Sequence, residues 1–121
     1  VERLEAVTFD GVVSDWSDNR HRSRAPAMEY HGEIGGKPVG VAMFDHPDNP
    51  RAPTLWYVIN SDPLRYINPA LLCYEPLSLN AGEEMTLRYR VIVHPGKWDA
   101  DELRRQFTLY TQVHSPAGAT R

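Results

Sequence analysis

The chain has 121 residues and a formal net charge of −3, with 41% hydrophobic and 24% charged residues. These values are typical of a globular domain, exclude wholesale disorder, and give no basic footprint for a nucleic-acid partner. No apolar run approaches the roughly 20 residues that span a bilayer, so we expect no membrane partner and favour a soluble, cytoplasmic protein.

The N-terminal quarter predicts one short hairpin followed by a loop. Residues 6–9 favour a β-strand, and Asp10-Gly11 before Val12-Val13 signals either a hairpin turn or a bulge. Residues 14–25 are mostly polar, and we interpret them as an irregular loop.

A second hairpin is predicted from the next β segments. Residues 27–34 alternate weakly and end at Gly35-Gly36, a strong turn signal, and residues 39–44 form the returning arm. That arm is apolar on both of its faces, which is typical of a central strand.

The second half of the chain predicts three more strand regions. Residues 55–59 form a strong β run, and residues 66–68 a short one. Residues 85–94 alternate with period two, and we expect residues 75–79 to pair with them. The apolar side of this strand is made of Met85, Leu87, Tyr89, Val91 and Val93. The other side should meet water, a ligand or further protein.

One helix is predicted over residues 100–111. Asp99 is a suitable N-cap, and Glu102 stands three positions later in a capping-box-like spacing. The expected buried stripe consists of Leu103, Phe107 and Tyr110.

Together these elements predict a mainly β protein, an antiparallel β-sandwich with one C-terminal helix. We expect a single domain over residues 1–121 with a frayed tail over 115–121. The single Cys73 excludes an intramolecular disulfide and lies in an apolar run, so we expect a buried, inert thiol.

A candidate site follows the predicted strand 39–44. Three prolines, at positions 47, 50 and 53, end the strand and gather its polar neighbours on one stiff loop. The candidate catalytic residues are His46, Asp45 and Asp48, which combine an imidazole with carboxylates suited to proton transfer. The candidate ligand-binding residues are Asp45, His46, Asn49, Arg51, Trp56, Tyr66, Arg88 and Arg90.

These residue types suit a carbohydrate or another polyhydroxylated molecule, because such ligands need paired donors and acceptors beside an aromatic surface. We expect the side chains of Asp45, His46, Asn49, Arg51 and Trp56 to line one hollow. In the alternative interpretation the loop is structural: Asp45 and Asn49 cap turn amides, and Arg51 bridges a carboxylate.

A metal site has little support in the sequence. His21, His31 and His94 could converge on the loop and complete a catalytic metal or calcium site. Their spacing matches neither HExxH nor a 2-His-1-carboxylate motif, so we expect no metal, and the cofactor stays open.

The chain also resembles a known family. The segments GVAMFDHPDNPRAPTLW, YINPALL and PLSLNAGEEMTLRYRVIVHPGKWD carry the resemblance, which covers residues 25–112. They are similar to the C-terminal half of a family of soluble bacterial proteins, a domain of unknown function labelled methane oxygenase PmoA-like. The resemblance implies a β-sandwich, in part of the supersandwich kind seen in sugar mutarotases.

Members of that family are longer than this chain, and Val1 stands in place of an initiator Met. We therefore expect a C-terminal part of a larger protein, whose partner is the N-terminal portion or a second copy. Three functions stay open, and whether the protein is an enzyme stays open with them: a carbohydrate-binding or carbohydrate-processing module, a structural or interaction half-domain, and a metal-dependent oxygenase.

Overall fold

Two antiparallel sheets and one helix make up the part of the chain that a computed structural model describes, residues 4–62 and 64–113. The predicted frayed tail over 115–121 lies outside the described residues. The elements are β1 (Glu5–Thr8), β2 (Gly11–Val12), β3 (Arg20–Arg24), β4 (Ala27–Ile34), β5 (Lys37–Asp45), β6 (Leu55–Asn60), β7 (Arg65–Pro69), β8 (Tyr89–Pro95) and α1 (Ala100–Val113). Among the described residues, no helix is long and apolar enough to cross a membrane.

The elements form three layers. The central layer is a five-stranded sheet in the order β2-β1-β4-β5-β8, and a three-stranded sheet in the order β3-β6-β7 covers part of one face. Helix α1 covers the other face. The predicted β-sandwich with one C-terminal helix is confirmed.

The core between the two sheets is built around Trp56. Its indole is fully buried and donates a hydrogen bond to the Ala25 carbonyl, at 2.6 Å. Met28 and Tyr30 of β4 and Val58 of β6 complete the centre of this core. Alternate residues of β4 and β6 thus face each other across the sandwich, as the period of a strand requires.

The core between the sheet and the helix is aromatic. The ring of Phe44 lies 6.0 Å from Phe107 and 5.6 Å from Tyr110, measured between ring centroids. Leu103 completes the buried stripe of α1, which confirms the predicted helix face. The amide of Glu102 donates to the Asp99 carboxylate at 2.9 Å, so Asp99 is the N-cap.

The first two predicted hairpins are confirmed. Gly11 opens the β1–β2 return with a φ of 117°. In the longer hairpin, Ile34 pairs with Lys37 across Gly35 and Gly36, whose φ values are 59° and 79°. Positive φ at both central residues is the type I′ requirement, which glycine meets without strain.

Strand β3 corrects the predicted loop over residues 14–25. Residues 20–24 pair along their full length with β6, and Arg20 Nε donates a hydrogen bond of 2.9 Å to the Tyr57 hydroxyl. Because β3 is an edge strand, Arg22 and Arg24 can be exposed and protect the edge, so the segment has no apolar strand signature.

Strand β8 corrects two predictions. It begins only at Tyr89, and it pairs with the central β5 instead of residues 75–79, which are irregular. The side expected to be buried is open, with Val91 54% and Val93 77% exposed. The alternate residues face α1, because Arg90 lies over the Tyr110 ring at 4.9 Å and His94 reaches a buried carboxylate.

Two smaller expectations also change. Cys73 is exposed, because residues 71–88 lie on the surface and are not part of a strand. Strand β5 is fully buried only on the helix side, where Ala42 and Phe44 lie. Apart from Asp45, its other side is half-buried at Val39, Val41 and Met43, and Met43 packs against the core between the sheets.

Replacing Phe44 with alanine removes the ring that joins the sheet to the helix. We expect the free energy of unfolding to fall by about 3–5 kcal/mol, measured by urea denaturation. Leu109→Ala, at an exposed position of α1, is the control and should change it by only about 0.5 kcal/mol. Equal losses in the two variants would contradict the assignment of this core.

Candidate functional site

The loop after β5 is held by the carboxylate of Asp45. This side chain is 1% exposed and accepts hydrogen bonds from the Asn49 amide at 2.7 Å and the Thr54 backbone amide at 2.9 Å. Burial raises the pKa of Asp45 above its usual value, although these two hydrogen bonds and the nearby His46 act in the opposite direction. Both of its oxygens therefore serve the turn.

Asn49 joins the loop to the start of β8. Its amide nitrogen also donates to the Arg88 carbonyl at 2.7 Å, and its oxygen accepts from the Arg88 amide at 2.8 Å. The side-chain amide thus makes the same pair of hydrogen bonds that the backbone of a neighbouring strand would make. It anchors residue 88 beside the end of β5.

His46 is buried beside the helix. Its Nδ1 accepts a hydrogen bond from the Asp48 amide at 3.0 Å, and its ring meets Tyr110 edge-on with centroids 5.6 Å apart. The Asp48 carboxylate lies 3.8 Å from the same nitrogen and is largely exposed. The expected His46–carboxylate pair is therefore close in space, but Nδ1 is already in use.

Arg51 anchors the following surface segment. Its guanidinium donates to the carbonyls of Leu71, Glu75 and Pro76 at 2.9, 2.8 and 2.7 Å. It contacts backbone carbonyls where the structural interpretation expected a carboxylate.

The other predicted site residues lie elsewhere. Trp56 is in the core between the sheets, and Tyr66 of β7 packs against Tyr57 with ring centroids 6.1 Å apart. Arg90 lies over the ring of Tyr110. The structure therefore brings together Asp45, His46 and Asn49, with the backbone of Arg88, but does not bring the aromatic residues to them. A small hollow of about 190 Å³ next to the loop includes Asp45 alone of the predicted residues.

A second polar cluster lies on the helix side of the central sheet, around Glu29. This side chain is 0% exposed. Its Oε1 lies 2.8 Å from His94 Nε2, and its Oε2 lies 3.0 Å from His31 Nδ1 and accepts from the Trp98 amide at 3.2 Å. Two strands, β4 and β8, and the loop before α1 thus meet at one carboxylate. We call Glu5, Glu29, His31 and His94 the Glu29 cluster.

The outer ends of this cluster differ. His31 Nε2 lies 3.0 Å from Oε1 of Glu5, whose side chain is 58% exposed. His94 Nδ1 lies 3.0 Å from the Pro95 carbonyl, and its ring stacks on Trp98 with centroids 3.8 Å apart. The side-chain contacts therefore run in one chain from the exposed carboxylate of Glu5 through His31 and Glu29 to His94, and end at the Pro95 carbonyl.

All four ring nitrogens of the two histidines face oxygen atoms. Two neutral imidazoles supply only two N–H groups, so filling all four hydrogen bonds takes two further protons on the rings or on the carboxyls. Burial alone would lower the pKa of His31, but its hydrogen bonds to Glu29 and Glu5, and their charges, raise it above 6.5. The imidazolium form of His31 suits its position between two carboxylates.

Gly40 leaves the space that the cluster occupies. It is paired with His31 on one side and His94 on the other. A Cβ at this position would lie 2.5 Å from Oε2 of Glu29 and 2.6 Å from Cε1 of His94. A side chain here would displace the cluster, so a glycine inside this strand marks a close approach.

A hollow of about 570 Å³ adjoins the exposed end of the cluster. Its lining residues are Leu4, Glu5, Val12, Val13, Ser14, Trp16, His31, Gly32, Glu33 and Lys97. We call it the Glu5 hollow. It contains an aromatic residue, two carboxylates, an ammonium group and an imidazole.

Compared with protein-family models, residues 4–108 match a family of unknown function, DUF6807. The chain belongs to this family. Both polar clusters and the Glu5 hollow lie within the part matched to DUF6807, which begins earlier than the resemblance noted from the sequence. The family description assigns no activity, and nothing in the match bears on the methane-oxygenase label. Neither the curated proteins nor the solved structures give a significant match.

In this DUF6807 domain, the described residues include no group of three or more His, Cys, Asp or Glu side chains placed to hold a metal ion. His31 and His94 do converge, as the sequence suggested, but on Glu29 and not on the proline-rich loop. Glu5 and Glu29 were missed as site residues. Two features of the sequence indicate Glu29. It stands two residues before His31 and so shares its side of the strand, and Gly40 lies in the middle of the partner strand.

The raised pKa of His31 predicts a pH-dependent stability. Its contribution to the free energy of unfolding is fully present below 6.5 and is lost as the pH rises through its pKa in the folded state. We expect the stability difference between wild type and His31→Gln to shrink from about pH 6 to about pH 9, measured by urea denaturation. Asp48→Asn, in the proline-rich loop, is the control. A difference that is constant with pH would contradict the prediction.

Proposed function

We propose that this domain binds a neutral polyhydroxylated small molecule, such as a carbohydrate, in the Glu5 hollow. The observation that carries the proposal is the meeting of Trp16, Glu5 and Lys97 around one concavity of about 570 Å³. Small-molecule sites measure roughly 300–1,000 Å³, so the hollow is of a suitable size for a sugar.

The polar groups of the hollow favour a ligand that both donates and accepts hydrogen bonds. Glu5 and Glu33 accept, whereas Lys97 donates and lies 3.6 Å from Glu33. Acidic and basic groups are balanced along this wall, which favours a neutral ligand over an anion. A hydroxyl group can serve both kinds of partner, because it carries one donor and two acceptor positions.

Trp16 adds an aromatic surface. It is half-buried, and its Nε1 donates to the Val13 carbonyl at 3.2 Å, which fixes the indole beside the hollow. A partly exposed, held indole is a suitable surface for the apolar C–H side of a sugar ring. The proline-rich loop supports the proposal less well, since Asp45 and Asn49 already use their polar atoms within the turn.

The test is a titration with glucose, galactose and inositol at up to about 100 mM, followed by amide NMR shifts. We expect shifts at residues that line the Glu5 hollow, and an affinity about fivefold lower in Trp16→Ala, because the stacking surface is lost. Tyr74→Ala, at an exposed aromatic position outside the hollow, is the control and should bind as the wild type does. Shifts that are absent, or unchanged in Trp16→Ala, would count against the proposal.

A second candidate function is self-association through β8. This strand is the last in its sheet, and its open side presents Val91 and Val93. Identical edge strands can pair antiparallel about a two-fold axis, and an axis at Ile92 would place Val91 of one copy opposite Val93 of the other. That symmetry favours a second copy of this chain as the occupant.

Val93→Lys tests this second function, because a charge on the open side of β8 opposes pairing. We expect the wild type to dimerise and the variant to stay monomeric, measured by analytical ultracentrifugation. Val12→Lys, at an exposed position on the opposite edge of the same sheet, is the matched control and should dimerise. A monomeric wild type would exclude this candidate.

A further inference from the structure

We propose that the Glu29 cluster is a proton relay that makes ligand binding in the Glu5 hollow depend on pH. The inference rests on the proposed function, since it concerns the regulation of the same hollow. It also assigns His31 as a positioning residue that acts on the ligand through Glu5.

The geometry of the relay is continuous. Contacts of 3.0, 3.0 and 2.8 Å join Glu5 to His31, His31 to Glu29, and Glu29 to His94. Glu5 is the exposed member and lines the hollow, whereas Glu29 has no exposed surface. A change of protonation inside the sheet therefore reaches Glu5 through His31.

A purely structural ion pair would need one cation for the buried carboxylate. Glu29 has two histidine partners and a backbone amide, and His31 is shared with a second carboxylate that is itself largely in water. The contact between His31 and Glu5 does little to stabilise the buried carboxylate of Glu29, but it couples that carboxylate to the hollow.

When His31 is charged, both of its ring nitrogens donate. Nδ1 then serves Glu29 and Nε2 holds Oε1 of Glu5, which leaves the other oxygen of Glu5 to accept from a ligand hydroxyl. The ligand thus meets a carboxylate that is already fixed in position.

When His31 loses a proton, only one of its nitrogens can donate. Glu29 takes that N–H, because a buried carboxylate without its partner costs more free energy than an exposed one that water can solvate. The bare Nε2 then faces Oε1 of Glu5, and two acceptors repel each other. Glu5 loses its anchor, so the affinity for a hydroxyl-bearing ligand falls.

Other charged groups near the relay do not replace His31. On the hollow side Lys97 is paired with Glu33. On the helix side Glu102 interacts electrostatically with His94, but its carboxylate accepts hydrogen bonds from Arg105 and Gln106 of the same helix. In the described part of the chain, His31 is the histidine that contacts both Glu5 and Glu29.

The relay is tested first in the free protein, by nitrogen-15 NMR of the histidine rings across a pH titration. We expect both ring nitrogens of His31 to carry protons at neutral pH, and the midpoint of its titration to fall in Glu5→Gln, which removes one anionic partner. Glu33→Gln removes a carboxylate from the same hollow that does not contact His31, so its midpoint should match the wild type. A His31 with one ring N–H at neutral pH, or an equal midpoint in Glu5→Gln and wild type, would overturn the relay.

Coupling to the hollow is tested with glucose, galactose and inositol at about pH 6 and about pH 9. We expect an affinity roughly tenfold higher at the lower pH, proton uptake on binding at the higher pH, and loss of both effects in Glu5→Gln. Binding of equal strength at both pH values would overturn the coupling and leave the proposed function intact. No binding at either pH would remove the proposed function and the coupling together, while the ring titration still decides whether the relay exists.

Discussion

A carboxylate with no exposure to water has to find its hydrogen bonds inside the protein, and Glu29 is such a group. Meeting that requirement draws His31 of the same strand, His94 of β8 and the amide of Trp98 to one point. It also fixes glycine at position 40, where a Cβ would overlap the carboxylate. The pairing of β8 with β5 and the path of the chain into α1 are thus tied to one buried charge.

The two polar clusters differ in what remains available to a ligand. Around Asp45, both carboxylate oxygens and the amide of Asn49 are used by the turn itself. Such a closed set rigidifies a loop and has little left for a ligand. Around Glu29 the hydrogen bonds continue outward to Glu5, which lines a hollow and keeps an oxygen free of His31. A polar group that is still available to a ligand distinguishes a candidate site from a cluster whose polar groups all bond to one another.

Much of the fold could be predicted from short segments of the sequence. Asp10-Gly11 and Gly35-Gly36 predicted the first two hairpins, and Asp99 with the spacing of Leu103 and Tyr110 predicted the helix and its buried face. The sequence also shows the period-two alternation of β8, but this alternation indicates only that the two sides of the strand differ in polarity. Which side is covered depends on long-range partners, here the ring of Tyr110 for Arg90 and the carboxylate of Glu29 for His94.

The candidate site was harder to predict for the same reason. A glutamate in an alternating strand ordinarily faces water, and its burial depends on histidines that stand two and 65 positions along the chain. The proline-rich loop was predicted as the site because its polar residues are adjacent in sequence. Adjacent polar residues can satisfy one another, however, which is what Asp45 and Asn49 do.

The helix-facing side of the central sheet changes character along β5, and this change locates the candidate site. Phe44 pairs across the sheet with Ala27 and Arg90, in a row covered by the aromatic face of α1. Four residues earlier, Gly40 pairs with His31 and His94, and the segment around Trp98 covers that row. One end of the face is thus sealed by apolar rings, while the other holds buried charge and leads to the hollow at Glu5. The relay that we propose depends on the polar end, and the buried rings at the other end hold α1 against the sheet that carries it.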